Sequence, residues 1–154
     1  MEWQQGEFII SSDKSRLNVS YIHKFLSEES YWASGITYWV VEKSIEHSLC
    51  FGMYNAKKQI GFARIITDQA TFGYLADVFI DQEYRGQGFG KWLMEVITNL
   101  PFVSHLRGLM LATKDAHQLY EQFGFTPLDF PERYMRIQRP NVYELMKEEQ
   151  KSQA

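Results

Sequence analysis

The run Arg85-Gly86-Gln87-Gly88-Phe89-Gly90-Lys91 has the clearest chemical potential in this chain of 154 residues. An apolar, strand-like stretch precedes it. Phe89, Trp92, Leu93, Val96, Ile97 and Leu100 then recur at helical spacing until Pro101 stops the helix. Backbone N–H groups at a helix start lack intrahelical partners and carry partial positive charge. Glycines strip side chains from such a loop, so a diphosphate can approach the amides closely. Arg85 and Lys91 add positive charge at its ends. The whole run, including Gly86, Gln87, Gly88, Phe89 and Gly90, is therefore expected to cradle phosphate. A P-loop ending on Gly90-Lys91 fails because position 85 is Arg and position 92 is Trp. A Gly-x-Gly-x-x-Gly fingerprint starting at Gly86 would need Gly at 91, which is Lys. Arg85, Gly88 and Gly90 do satisfy a third pattern, Arg/Gln-x-x-Gly-x-Gly/Ala.

Other side chains could contribute chemistry. Asp77 is the only charge within Thr71 to Ile80. With a reference pKa near ~3.9 it is a poor base unless burial raises it or water relays the proton. It could equally orient a cationic substrate or pin a loop. Tyr120 lies in an apolar stripe with Ala116, Leu119 and Phe123, so periodicity alone reads it as core. Tyr31, Trp32, Tyr38 and Trp39 could enclose an amine or make cation–π contacts, although each ring singly also suits plain packing. Arg64 could read a carboxylate or a neighbouring acid. His23, His47, His105 and His117 show no ligand spacing, and no metal is expected. Cys50, the only cysteine, allows no intrachain disulfide and reads as buried strand packing.

These residues need a scaffold. The length suits one domain, expected over residues 1–146, with a polar, fraying C-terminal tail at 147–154. The chain is 45% hydrophobic and carries 16 Lys+Arg against 19 Asp+Glu, a net charge of -3, which excludes a strongly basic nucleic-acid module. No apolar run reaches the ~18 residues of a membrane span, and the first residues carry no charged signal region. The single thiol fits a reducing cytoplasm. Aromatic residues make up 16% of the chain, which implies a bulky core or a ring-lined pocket.

Strands are expected at Glu7–Ile10, Ser48–Tyr54, Gln59–Thr67, Thr71–Ile80, Leu106–Ala112 and Arg133–Ile137. Helices are expected over Leu17–Ser27, around Tyr38–Ile45 with Thr37 as cap, over Phe89–Leu100, and around Ala116–Phe123 with Gly124 as the C-terminal cap. Alternation along Thr71–Ile80 puts Phe72, Tyr74, Ala76, Val78 and Ile80 on one face, and Gly73, Leu75, Asp77 and Phe79 on the other. Phe72, Phe89, Trp92 and Phe123 read as core. The order predicts an α/β (α+β) domain whose first part is antiparallel.

The pattern Arg85-x-x-Gly88-x-Gly90 resembles the acetyl-CoA pyrophosphate loop of the GNAT superfamily of N-acetyltransferases. Leu75-Ala76-Asp77-Val78-Phe79-Ile80 looks like that family's central strand. Ala116-His117-Gln118-Leu119-Tyr120-Glu121-Gln122-Phe123-Gly124-Phe125 looks like its later Ala-x-x-Leu-Tyr-x-x-x-Gly-Phe segment. The resemblance implies the GNAT acyl-CoA N-acyltransferase fold, a mixed central sheet flanked by helices on both faces. It implies acetyl-CoA as co-substrate, with pantetheine pairing to the backbone at Phe79 and Ile80. It makes Tyr120 the acid that protonates the leaving thiolate, and it allows Asp77 a catalytic part. Where many members carry Asn, three residues before Ala116, this chain has Thr113, whose hydroxyl could bond cofactor or cap the helix. The resemblance places the acceptor pocket near Tyr31, Trp32, Trp39 and Tyr74, and it is compatible with a homodimer.

The expected function is transfer of acetyl from acetyl-CoA to a primary amine of a small molecule, peptide or protein, by direct attack in a ternary complex. The alternative is a non-catalytic acyl-CoA sensor. No nucleic-acid or membrane partner is expected, and the expected location is cytoplasmic.

Overall fold

Six strands form one sheet in the order β1-β2-β3-β4-β5-β6. The computed structural model describes residues Met1–Ala154. The strands are β1 (Glu2–Gln5), β2 (Phe8–Ser11), β3 (Leu49–Asn55), β4 (Lys58–Thr67), β5 (Phe72–Ile80) and β6 (Gly108–Met110). The helices are α1 (Val19–Lys24), α2 (Tyr38–Glu46), α3 (Phe89–Thr98), α4 (His117–Glu121) and α5 (Val142–Ser152). Neighbours from β1 to β5 pair antiparallel, and β5 pairs parallel with β6. This is the mixed sheet expected from the sequence.

Alternating side chains divide the interior into two layers. Ile10, Phe51, Met53, Ala63 and Ile65 pack beneath Leu93, Met94 and Ile97 of α3. On the opposite face, Cys50 and Phe62 pack against Ile22, Phe25 and Leu26 from α1 and its π-helical extension, and Val41 and Ile45 from α2. Helices therefore cover both faces.

The bulge in β5 is decisive for the site. Phe62 pairs with Phe79 and Arg64 pairs with Ala76, leaving Asp77 and Val78 opposite Ala63 alone. Asp77 sits at φ 55°, in the left-handed region. One extra residue reverses the facing of everything beyond it. Leu75 accordingly joins the α3 layer, whereas Phe79 joins the α1/α2 layer and stacks on Phe25 with ring centroids 3.8 Å apart. The strict alternation expected through Thr71–Ile80 therefore holds only up to the bulge.

Other boundaries also differ from expectation. A hairpin turning on Gly6, at φ 60°, adds β1 ahead of the first expected strand. The expected strand Arg133–Ile137 does not form. Pro131–Arg133 is a single 3-10 turn, and the residues after it pair with no strand of the sheet. The expected tail at 147–154 is instead helical to Ser152, since Glu, Lys and Gln are good helix formers and continue α5. Trp92 is buried, and Phe89 and Phe123 are half-buried against the α3 layer. Phe72, at the exposed start of β5, stays in solvent contact rather than in the core.

Candidate active site

Strands β5 and β6 pair only from Phe72 to Tyr74 against Gly108 to Met110. Beyond Tyr74 the two chains part, and the edge of β5 facing β6 has no neighbouring strand. The resulting cleft, about 370 Å³, is walled by Tyr74–Val78 on one lip and Leu111–Ala116 on the other. Tyr31, Trp32 and Tyr120 complete its lining. Sequence reasoning selected Tyr31, Trp32, Tyr74, Asp77, Thr113 and Tyr120, and the fold brings all six together. Trp39 does not line this cleft; it stands exposed on α2.

The glycine loop lies at the end of β5, where Gly86 and Gly88 adopt φ 73° and 88°. A Cβ at either would meet nothing within 4 Å, so their faces are open. The N–H groups from Gly86 to Lys91 donate to no backbone acceptor, and the first bond of α3 runs from Trp92 N–H to Gly88 O at 3.0 Å. Six successive free donors at the start of a ten-residue helix fit a diphosphate. A Cβ on Gly90 would lie 3.8 Å from Leu119 Cδ2, so this first turn abuts α4 next to Tyr120.

The charged and polar groups of the loop are partly engaged already. Arg85 Nε donates to Ile80 O at 3.0 Å, tying the loop back to the strand end. Gln87 Nε2 donates to Glu83 O at 3.2 Å, and Lys91 is exposed. Phe79 buries its ring and offers only backbone toward a ligand. Thr113 Oγ1 accepts from Ala116 N–H at 3.1 Å and Asp115 N–H at 3.4 Å, which caps the approach to α4.

Tyr120 is buried, and its ring meets Phe125 edge-on at 5.8 Å. Burial pushes its phenol up to about 12, with Tyr31 and Asp115 adding to the shift. A phenol held there keeps its proton throughout the neutral range and can act only as an acid.

Asp77 is fully engaged. Its Oδ2 accepts from Arg64 Nε at 2.5 Å, and its Oδ1 accepts from Trp32 Nε1 at 2.8 Å. Arg64 Nη1 also donates to Ser48 Oγ at 3.0 Å. The side chains of this ion pair are only 15% and 8% exposed. Sequence reasoning left Arg64 open between a substrate carboxylate and a neighbouring acid, and the neighbouring acid is what it holds. Arg64 sits opposite Ala76, so strict alternation would turn Asp77 to the other face, and it is the bulge that brings the pair together.

An acetyltransferase (GNAT) domain model matches residues 34–127, from the loop before α2 into the segment that follows α4. The chain belongs to the GNAT acetyltransferase family. A candidate acetyltransferase of Gibberella zeae is 32% identical over 138 residues, covering 77% of this chain and 78% of that protein. The crystal structure of a candidate GNAT-family acetyltransferase from Xanthomonas campestris pv. campestris is 43% identical. It covers 91% of this chain and 99% of its own, with a TM-score of 0.86. The glucosamine-6-phosphate N-acetyltransferase of Arabidopsis thaliana, at 13% identity and a TM-score of 0.58, shares the fold; the match covers 86% of this chain and 97% of that one. This GNAT protein is therefore an acyltransferase, in a family that uses acetyl-CoA as co-substrate. None of its helices is long and apolar enough to cross a membrane.

Proposed function

We propose that this protein transfers the acetyl group of acetyl-CoA to a primary amine of a small molecule, peptide or protein. The observation that carries this reading is the parted β5–β6 cleft, with Tyr120 in its wall and the unbonded glycine loop at its side. In this reading the amides of Gly86 to Lys91 hold the diphosphate, and the exposed edge of β5 beyond the bulge pairs with the pantetheine arm.

The amine attacks the thioester carbonyl, forming a C–N bond as the C–S bond breaks. An alkylammonium titrates near ~10.4, so a proton must first leave it. Both oxygens of Asp77 are occupied, which favours Asp77 as a group that orders the cleft over one that accepts this proton. Tyr74 is proposed to hold a water through which the proton leaves. The leaving thiolate takes the Tyr120 proton, the second proton shed by the acylated nitrogen restores that phenol, and backbone N–H groups past the bulge stabilise charge on the carbonyl oxygen.

The test is to incubate the protein with acetyl-CoA and a panel of amines, following CoA thiol release. Tyr120→Phe is expected to lower kcat by about 10²-fold, as for loss of a positioned acid, with CoA affinity nearly unchanged. Bound cofactor without thiol release for any acceptor would refute transfer. An unchanged rate in Tyr120→Phe would refute the acid.

A further inference from the structure

The loop from Ser30 to Gly35 touches both lips of the cleft through adjacent residues. Trp32 Nε1 donates to Asp77 Oδ1 on the β5 lip. Tyr31 Oη accepts from Lys114 N–H at 2.8 Å on the lip that follows β6, with Lys114 Nζ 5.7 Å from its ring centre. The two rings meet edge to face at 5.1 Å. The loop itself is stiff. Ser30 Oγ donates to Leu26 O at 2.6 Å and accepts from Ala33 N–H at 3.1 Å, and Gly35 N–H donates to Ser27 O at 3.0 Å.

Asp77 is where this loop meets the bulge. A residue other than glycine in the left-handed region persists only where its surroundings over-determine it. Here the restraints are the Arg64 guanidinium from β4, which is itself held by Ser48, and the Trp32 indole from the loop. Tyr143 of α5 packs at the edge of the α1/α2 layer, and burial raises its phenol, with Asp77 contributing. The turn at Asp77 decides which backbone groups of Val78 and Phe79 face the cleft.

We propose that Ser48, Arg64, Asp77 and Trp32 form a positioning relay that makes the aromatic loop and the β5 bulge one unit, so that the ring wall of the cleft and the backbone donors of β5 are set by a single carboxylate. The relay rests on the acetyl-transfer reading for its kinetic consequence, but not for its structural one. Its members are positioning residues that act through the β5 backbone. The Tyr31 contact with Lys114 fixes the width of the cleft from the same loop.

Trp32→Phe keeps a ring and removes the indole donor, and Asp77→Asn keeps an acceptor and removes the negative charge that pairs with Arg64. The first measurement is the backbone amide spectrum. Trp32→Phe is expected to move the amide signals of Asp77, Val78 and Phe79, which lie about 45 residues away in sequence, while signals of Gly86 to Gly90 stay unchanged. The second is kinetic. Each variant is expected to lose about 10-fold in kcat with a smaller rise in the KM for acetyl-CoA, and the double variant to be no worse than Asp77→Asn alone. Unmoved amide signals in Trp32→Phe overturn the relay, as do additive losses in kcat. A wild-type protein that binds CoA but acetylates nothing overturns the acetyl-transfer reading instead, and the amide spectrum still decides the relay.

Discussion

Gly88→Ala separates what the glycine loop costs the fold from what it gives the ligand. Gly88 sits at φ 88°, and a Cβ there would meet nothing within 4 Å. The protein alone therefore presents no clash, and the only folding cost is the left-handed backbone, about 1–2 kcal/mol for an L-residue. For a chain of this length each 1 kcal/mol lowers Tm by roughly 2–4 °C. The same open space is where a diphosphate would approach the free amides of Gly86 to Lys91. A methyl group there should weaken CoA binding at least about 10-fold, a loss of ~1.4 kcal/mol, and Gly88→Glu should weaken it further by charge repulsion. Gly124 supplies a matched control: it also sits at φ 88° with open space, but it closes the end of α4. Gly124→Ala should lose comparable stability and keep its CoA affinity. Thermal unfolding and calorimetric titration with CoA measure the two effects. A Gly88→Ala protein that melts early yet binds CoA like the wild type would refute the placement of the diphosphate.

Three further outcomes follow from buried groups. Burial pushes the phenols of Tyr54 and Tyr120 up to about 12, so between pH ~10 and ~12 the unfolded chain releases protons that the folded chain keeps. Stability should fall as pH rises through that window, by about 1.4 kcal/mol per pH unit per group, and Tyr120→Phe should flatten the slope by one group in urea titrations; equal slopes would contradict this. Cys50 is buried with its thiol pushed up to about 11, so it should resist alkylation at neutral pH until the protein unfolds, and rapid labelling of native protein would count against the packing. A Cβ on Gly52 would run into Tyr54 Oη within the buried sheet, so Gly52→Ala should cost about 1–3 kcal/mol by chemical denaturation.

Much of this architecture was legible in local pattern. The stripe Trp92, Leu93, Val96 and Ile97 identified α3, and Gly124 at φ 88° ends α4 as its sequence position suggested. The glycine loop was readable because the diphosphate site proposed for it is built from adjacent residues. The cleft was not readable by composition: its two lips come from residues 74–78 and 111–116, and only the parting of β5 from β6 makes them face each other. The failed strand at Arg133–Ile137 is instructive for the same reason. Tyr134, Met135 and Ile137 carry a strand-like pattern, yet strand formation needs a neighbour to complete the ladder, and these three side chains remain exposed.

The bulge shows most clearly where local reading stops. Under strict alternation Leu75 and Phe79 share a face, yet they lie in opposite layers. Val78, Phe79 and Ile80 are all apolar, so the residues beyond the bulge fit either facing, and hydrophobicity cannot register the shift. Asp77 stands out as the lone charge in the strand, and residue type alone leaves it open between proton transfer, orienting a cation and pinning a loop. The fold gives a specific reason for an aspartate. Asp tolerates the left-handed region better than most residues, and its carboxylate can be held from two directions. Those holding groups lie 13 and 45 residues away in sequence, so they become neighbours only through the β4–β5 register and the closure of the aromatic loop. The position was marked as special by its residue type, whereas its role is defined by partners that only the tertiary fold brings to it.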